Sequence, residues 1–166
     1  MGIRQAINEN PVLTSAITGG IIAIALGFII YQGCNDPGRT NANRAFYSAD
    51  DGQTWFEDDG KLVPPIMKNG KPAFRATVVK CGDGDPFVSS LERYTPEVKA
   101  KMEQMIAANK GERPTTIEFI NLEMQNEVRK PATQTWFARH RNPIGYMKAA
   151  SLPLCPDGSA AIRVYP

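Results

Sequence analysis

The chain is short of the residues from which catalytic and metal sites are usually built. It contains one histidine and three cysteines in 166 residues. His140 stands between Arg139 and Arg141, and spacing ties no serine or cysteine to it, so a Ser-His-Asp or Cys-His nucleophile has no support. No cysteine has a second cysteine two residues on, and one histidine cannot complete a four-ligand zinc site. A Walker-type phosphate loop and a paired-glycine dinucleotide fingerprint are both missing. The Asp83-Gly84-Asp85 and Asp50-Asp51 turns do not follow the twelve-residue calcium-loop pattern, and Asp-Gly is ordinary turn chemistry. No catalytic, cofactor-binding or metal-ligating residue is therefore assigned. An excess of one charge is missing too. Nineteen Lys and Arg oppose 17 Asp and Glu, a net charge of +2, which is too balanced to imply a nucleic-acid partner.

One stretch lacks charge altogether, Val12 to Tyr31 (VLTSAITGGIIAIALGFIIY). As a helix it would reach about 30 Å, the thickness of a bilayer's hydrocarbon core. Pro11 precedes it, and Gly33 to Gly38 would break any continuation. The sequence therefore predicts a single-pass transmembrane helix over 12–32 acting as a signal anchor, with membrane lipid around it. Its N-terminal tail is 1–11, a linker follows over 33–44, and one further domain occupies 45–166, expected outside the cytoplasm. Ser15, Gly19, Ala23 and Gly27 fall four apart on one face of this helix. Small residues at that spacing let two spanning helices pack, which points to a homodimer.

Charge is uneven along the rest. Asp50, Asp51, Glu57, Asp58 and Asp59 cluster without a basic neighbour, whereas Arg129, Lys130, Arg139, Arg141 and Lys148 lie in an acid-free stretch. Two solvated faces that attract each other account for this. The alternative is a basic surface set against anionic headgroups, or a docking pair between protomers.

The remaining pattern predicts an α+β domain, a largely antiparallel sheet of short strands with one main helix. Aromatics on both sides of Asp50-Asp51-Gly52 mark a hairpin. Ala73 to Lys80 reads as a strand with Phe74, Ala76 and Val78 on one face, and Phe87 to Leu91 returns beside it. Thr95 caps a helix beginning at Pro96, with Val98, Met102, Met105 and Ile106 as its buried stripe. Two templates compete over Thr115 to Val128. A helical stripe would use Ile117, Ile120, Met124 and Val128; a strand would alternate through Ile120, Leu122 and Met124. The β-rich start at Thr115-Thr116-Ile117 and the Lys130-Pro131 turn favour a long strand. Thr135 to Arg139 would pair back on it, and Asn142-Pro143 would cap a short helix.

Cys81 and Cys155 each end an apolar strand and precede a turn, in Cys81-Gly82-Asp83-Gly84 and Cys155-Pro156-Asp157-Gly158. A disulfide between them and two reduced buried thiols both fit that setting.

Ser48 to Trp55 resembles the Asp-box, the Ser-x-Asp-x-Gly-x-Thr-Trp hairpin of sialidases. In that family the box is structural, so the resemblance implies a hairpin and no activity. The Asp50–Trp55 turn also contributes to a wider likeness, together with Pro64-Pro65, Asn69-Gly70-Lys71-Pro72-Ala73, Leu91 to Glu97 and Cys155 to Gly158. With the early apolar helix, these resemble an uncharacterised family of short, N-terminally anchored single-pass bacterial membrane proteins. The resemblance implies architecture alone. The functional expectation is a membrane-tethered, non-enzymatic interaction or assembly module with an unspecified protein partner. The alternative is a small enzyme or carbohydrate-binding domain whose ligand surface combines Trp55, Asp58, Asp59 and Trp136.

Overall fold

In a computed structural model, residues 19–28 and 43–166 are described. The chain separates into two compact units, Met1–Arg39 and Thr40–Pro166.

In the first unit, residues 19–28 are helical and exposed. Ten helical residues cover about 15 Å, half of a hydrocarbon core. Among the described residues no helix is long and apolar enough to cross a membrane. The single-pass signal anchor expected over 12–32, and the membrane location built on it, are corrected accordingly. The described helix covers ten of the twenty residues in that apolar run. Gly19, Ala23 and Gly27 lie on the exposed 19–28 helix. An added Cβ at Gly19 or Gly27 would meet nothing within 4 Å. Ser15, and the rest of the expected span, fall outside the described residues.

The second unit is an α+β domain built on an antiparallel sheet of eight strands. In chain order the strands are β1 (Arg44–Ser48), β2 (Phe56–Asp59), β3 (Ile66–Lys68), β4 (Lys71–Lys80), β5 (Phe87–Arg93), β6 (Glu127–Arg129), β7 (Phe137–Ala138) and β8 (Ile162–Arg163). The helices are α1 (Pro96–Ala108), α2 (Ile117–Glu123) and α3 (Pro143–Ala150). The main path runs β2-β1-β4-β5-β6-β7, with β3 and β8 also pairing to β4.

Local sequence explains most of these elements. Asn69 and Gly70 both take positive φ, the two-residue turn that joins β3 to β4 with the right twist. Thr95 accepts the N–H of Val98, and Pro96 opens α1, where a missing N–H costs nothing. Asn142 likewise caps α3 by accepting the N–H of Gly145.

Between Thr115 and Val128 the structure departs from the expected long strand. Thr116 accepts the N–H of Phe119 and starts α2, and β6 keeps only three residues. The burial pattern supplies the reason. Phe119 and Leu122, three apart, sink together into a cluster with Val63, Tyr94, Val98 and Met102. Ile117, Ile120 and Met124 remain exposed. Ile117, Ile120 and Met124 form the outer face of this helix, whereas Leu122, the middle residue of the strand-like alternation, faces the core.

Register fixes two faces of the sheet. Ala76↔Leu91 and Leu91↔Arg129 put one set on the first face. There Phe46, Ala76, Val78, Val88 and Leu91 form a core, with Trp55 and Trp136 packed against it. Tyr47↔Arg75, Arg75↔Glu92 and Glu92↔Val128 lie on the second face, where α3 also packs. An added Cβ on Gly145 would stand 2.4 Å from the Phe137 ring, so only glycine permits that approach.

Cys81 and Cys155 are joined by a disulfide across a separation of 74 residues. It sits beside Val79 and Ala161 and ties the turn after β4 to the segment before β8.

Candidate functional site

The ligand surface expected from Trp55, Asp58, Asp59 and Trp136 is distributed rather than gathered into a cleft. Trp55 packs on the first-face core at the end of the Asp-box turn. In that turn Asp50 accepts the Thr54 N–H at 2.9 Å, the Thr54 hydroxyl, and the Ser48 hydroxyl at 2.9 Å. Ser48 Oγ in turn accepts the Gly52 N–H at 2.8 Å. Gly52 has φ +86°, and an added Cβ would press on Pro131 and Val88 at 3.1 and 3.2 Å. Asp58 accepts the N–H of Asp59 and faces Lys68; Asp59 accepts the N–H of Lys61. Both carboxylates serve the chain's own turn.

Trp136 lies 5.1 Å from Phe74, between ring centroids. The Arg93 and Arg129 guanidinium groups stand 4.2 and 4.9 Å from its ring centre. Buried Arg129 also pairs with Asp51, whose other oxygen accepts the Ala132 N–H at 2.9 Å. The acidic and basic clusters of the sequence thus meet here within one chain, and Glu57 pairs with Arg44.

The Thr54 hydroxyl and N–H, helped by Ser48, hold the Asp50 carboxyl below the usual carboxylate range. A depressed folded-state pKa stabilises the fold above the ordinary carboxylate value, and that stability is lost as the pH falls through the folded value. Replacing Asp50→Asn should cost about 1 kcal/mol at neutral pH. It should also flatten the loss of stability below about pH 4. Urea unfolding of both proteins between pH 2.5 and 7 checks this; parallel acid limbs would remove Asp50 from the account.

Two other regions have the geometry of binding surfaces. The first is the outer side of α2 and α3. Ile117, Ile120 and Met124 are 78%, 46% and 45% exposed on α2, and Ile144 and Met147 are 81% and 69% exposed on α3. A shallow depression lined by Asn121, Met124, Gln125, Arg139, His140 and Pro143 joins the two helices. Its cations are those of the acid-free stretch. Among the described residues, Arg139, Arg141 and Lys148 have no carboxylate partner. Arg139 lies over the Tyr146 ring at 5.7 Å.

The second is a groove of about 330 Å³ beside β4. Here β1 pairs with β4 only through Tyr47 and Ser48, and β8 joins only at Val79 and Lys80. The register of β4 with β5 shifts at Thr77/Val78, and Ser89 Oγ donates to the Thr77 carbonyl at 3.2 Å. Such a bulge re-aims neighbouring side chains. Arg75 and Glu92 pair on the groove floor at 3.4 Å. Arg75 also donates to the Gly60 and Leu62 carbonyls at 3.0 and 2.9 Å. Burial is the largest influence and works against the Arg75 charge, but the Glu92 carboxylate together with Tyr47 and Tyr94 outweighs it and holds its pKa above the ordinary guanidinium value. Asn126 donates both to Glu92 and to the Tyr146 hydroxyl, each at 2.9 Å.

Ile144 and Met147 on the first surface, and Arg44, Ser90 and Arg163 in the groove, carry no motif in the sequence. Only the fold brings them together. No family model, no curated protein and no solved structure matches this chain.

Proposed function

We propose that the 40–166 unit is a non-enzymatic interaction module that docks an acidic, amphipathic segment of a protein partner on the outer side of α2 and α3. The observation that carries this reading is the exposure of five large apolar side chains, Ile117, Ile120 and Met124 on α2 and its cap and Ile144 and Met147 on α3, with Arg139 in the depression that Met124 and Pro143 share. Scattered surface apolar residues are ordinary, but a group of them on two helices whose ends border one depression, edged by unpaired charge, is the anatomy of an interface. Apolar contact supplies affinity, and the cations select the partner's charge. The groups that acid-base chemistry would use are occupied elsewhere: Glu92 by Arg75 and Asn126, Asp50 by Thr54, Glu127 by Arg93. That arrangement supports binding over the enzymatic or carbohydrate-binding alternative.

Fluorescence anisotropy with two labelled helical peptides tests the proposal. The peptides share one leucine-rich face and differ in carrying Glu or Lys on its flanks. The Glu peptide should bind, and binding should weaken with salt as charge screening requires. Ile120→Ser and Ile144→Ser together should weaken it about tenfold or more, as expected when hot-spot residues are lost. Equal binding of both peptides, or no effect of the double substitution, would end the reading.

A further inference from the structure

In the groove beside β4 the cations are already taken, Arg44 by Glu57 and Arg75 by Glu92. The opposite holds in a cavity of about 310 Å³ between α3 and the connection from β6 to β7. All of its lining residues fall between positions 130 and 149, inside the stretch whose nearest acids are Glu127 and Asp157. It lies on a different side of α3 from the docking face. Gly145, Lys148 and Ala149, three and four apart, line it, whereas Ile144 and Met147 face solvent.

The apolar part of the cavity is made by buried Ala149 and by half-buried Phe137 and Gly145. An added Cβ on Gly145 would stand 2.4 and 2.8 Å from two atoms of the Phe137 ring, so glycine lets helix backbone and ring form one wall. The polar part is basic. Lys130 and Lys148 line the cavity and no acid does. Neither ammonium has a carboxylate partner among the described residues. Lys130 Nζ reaches only the Ser151 carbonyl, at 3.5 Å, and the Lys148 ammonium reaches no partner there. Asp51 approaches the adjoining turn, but Arg129 and the Ala132 N–H hold it. The Thr133 hydroxyl gives its proton to the Lys130 carbonyl at 2.7 Å, while the Thr135 hydroxyl keeps its own. Two ammonium groups on one cavity, without a counter-charge from the chain, attract an anion from outside. An apolar wall with a few polar groups beside it is the make-up of a small-ligand site, and about 300 Å³ is the lower end of such sites.

We propose that this cavity binds a compact molecule with a flat apolar part and an anionic head, a carboxylate or a phosphate. The flat part lies against Phe137, Gly145 and Ala149. The head pairs with Lys130 and Lys148 and accepts from Thr135. An ammonium is a point charge without a fixed fork, so it serves either head group.

The test is an amide-resolved NMR titration of the full chain with benzoate, phenyl phosphate, neutral benzamide and acetate at fixed ionic strength. Benzoate, phenyl phosphate or both should give saturable shifts confined to the neighbourhood of Thr135, Phe137, Gly145 and Lys148. Benzamide has the ring without the charge and acetate the charge without the ring, so each should bind about tenfold more weakly. Lys130→Gln with Lys148→Gln should bring benzoate down to the level of benzamide and leave benzamide itself unchanged, which separates lost charge from a damaged fold. Ile120→Ser with Ile144→Ser should leave the titration unaltered while it weakens peptide docking, so the two sites stand or fall separately. No response to either ring anion, unsaturable shifts, shifts spread over surface lysines, an equal response to benzamide or acetate, or benzoate binding undiminished in the lysine double variant would each overturn the proposal.

Discussion

Phe119→Ala should destabilise the 40–166 domain by about 4 kcal/mol, the usual cost of emptying a buried phenylalanine site. Phe119 is 1% exposed and packs against Val63, Tyr94, Val98, Met102 and Leu122. Together with Tyr94 it fills the space between α1 and α2. Removing it leaves a cavity that two helices fixed at their ends cannot close. The neighbouring Ile120→Ser should change stability by only about 0.5 kcal/mol, as surface substitutions do. The contrast between adjacent residues makes the measurement discriminating. A strand over this segment would bury Ile120 with Leu122 and Met124 and reverse the order. Denaturant unfolding of both variants decides it, and a larger loss for Ile120→Ser would overturn the helical assignment.

The second large effect is expected from the disulfide. Cys81–Cys155 closes 74 residues, and a loop of that length restricts the unfolded chain by about 4 kcal/mol on the chain-entropy account. Cys81→Ser with Cys155→Ser should lower stability by that order, and a reducing agent should do the same to the natural chain without affecting the double variant. The loss should also be local at first. Beyond its backbone pairing, the segment around β8 is held by Val79, Ala161, the packing of Val164 on the first-face core and this bond, so amide exchange should rise there before it rises in β5. Equal stability of the oxidised and reduced chains would show that local packing alone holds the segment.

The sequence was most readable where one local rule acted alone. Thr95 and Pro96 announce α1, Asn142 and Pro143 announce α3, and Asn69-Gly70 announces the turn into β4; each carries its own capping or φ requirement. The Asp50 turn is similar, because its hydrogen bonds run between residues only two to four apart. Reading failed where burial and apolarity part company. Ile117, Ile120 and Met124 look like an inward pattern and face outward, while Phe119 and Leu122 bury the helix with too short a spacing to stand out. The groove was not legible at all. Arg44, Thr77, Ser90 and Arg163 come from four strands, and only β-pairing makes them neighbours.

One feature of the sheet bears on how the chain reaches this form. Central β4 takes partners from both extremes of the domain, β1 at residues 44–48 and β8 at 162–163. The Asp51 side chain holds the Ala132 amide across 81 positions. Such distant pairings slow folding, because the intervening loops must be ordered before the contacts repay it. On a ribosome, the Asp51–Ala132 contact must wait for residue 132 to emerge, and β4 keeps its edge at Val79 and Lys80 unpaired until β8 has been synthesised. Closure of this sheet therefore waits for residues 162–163.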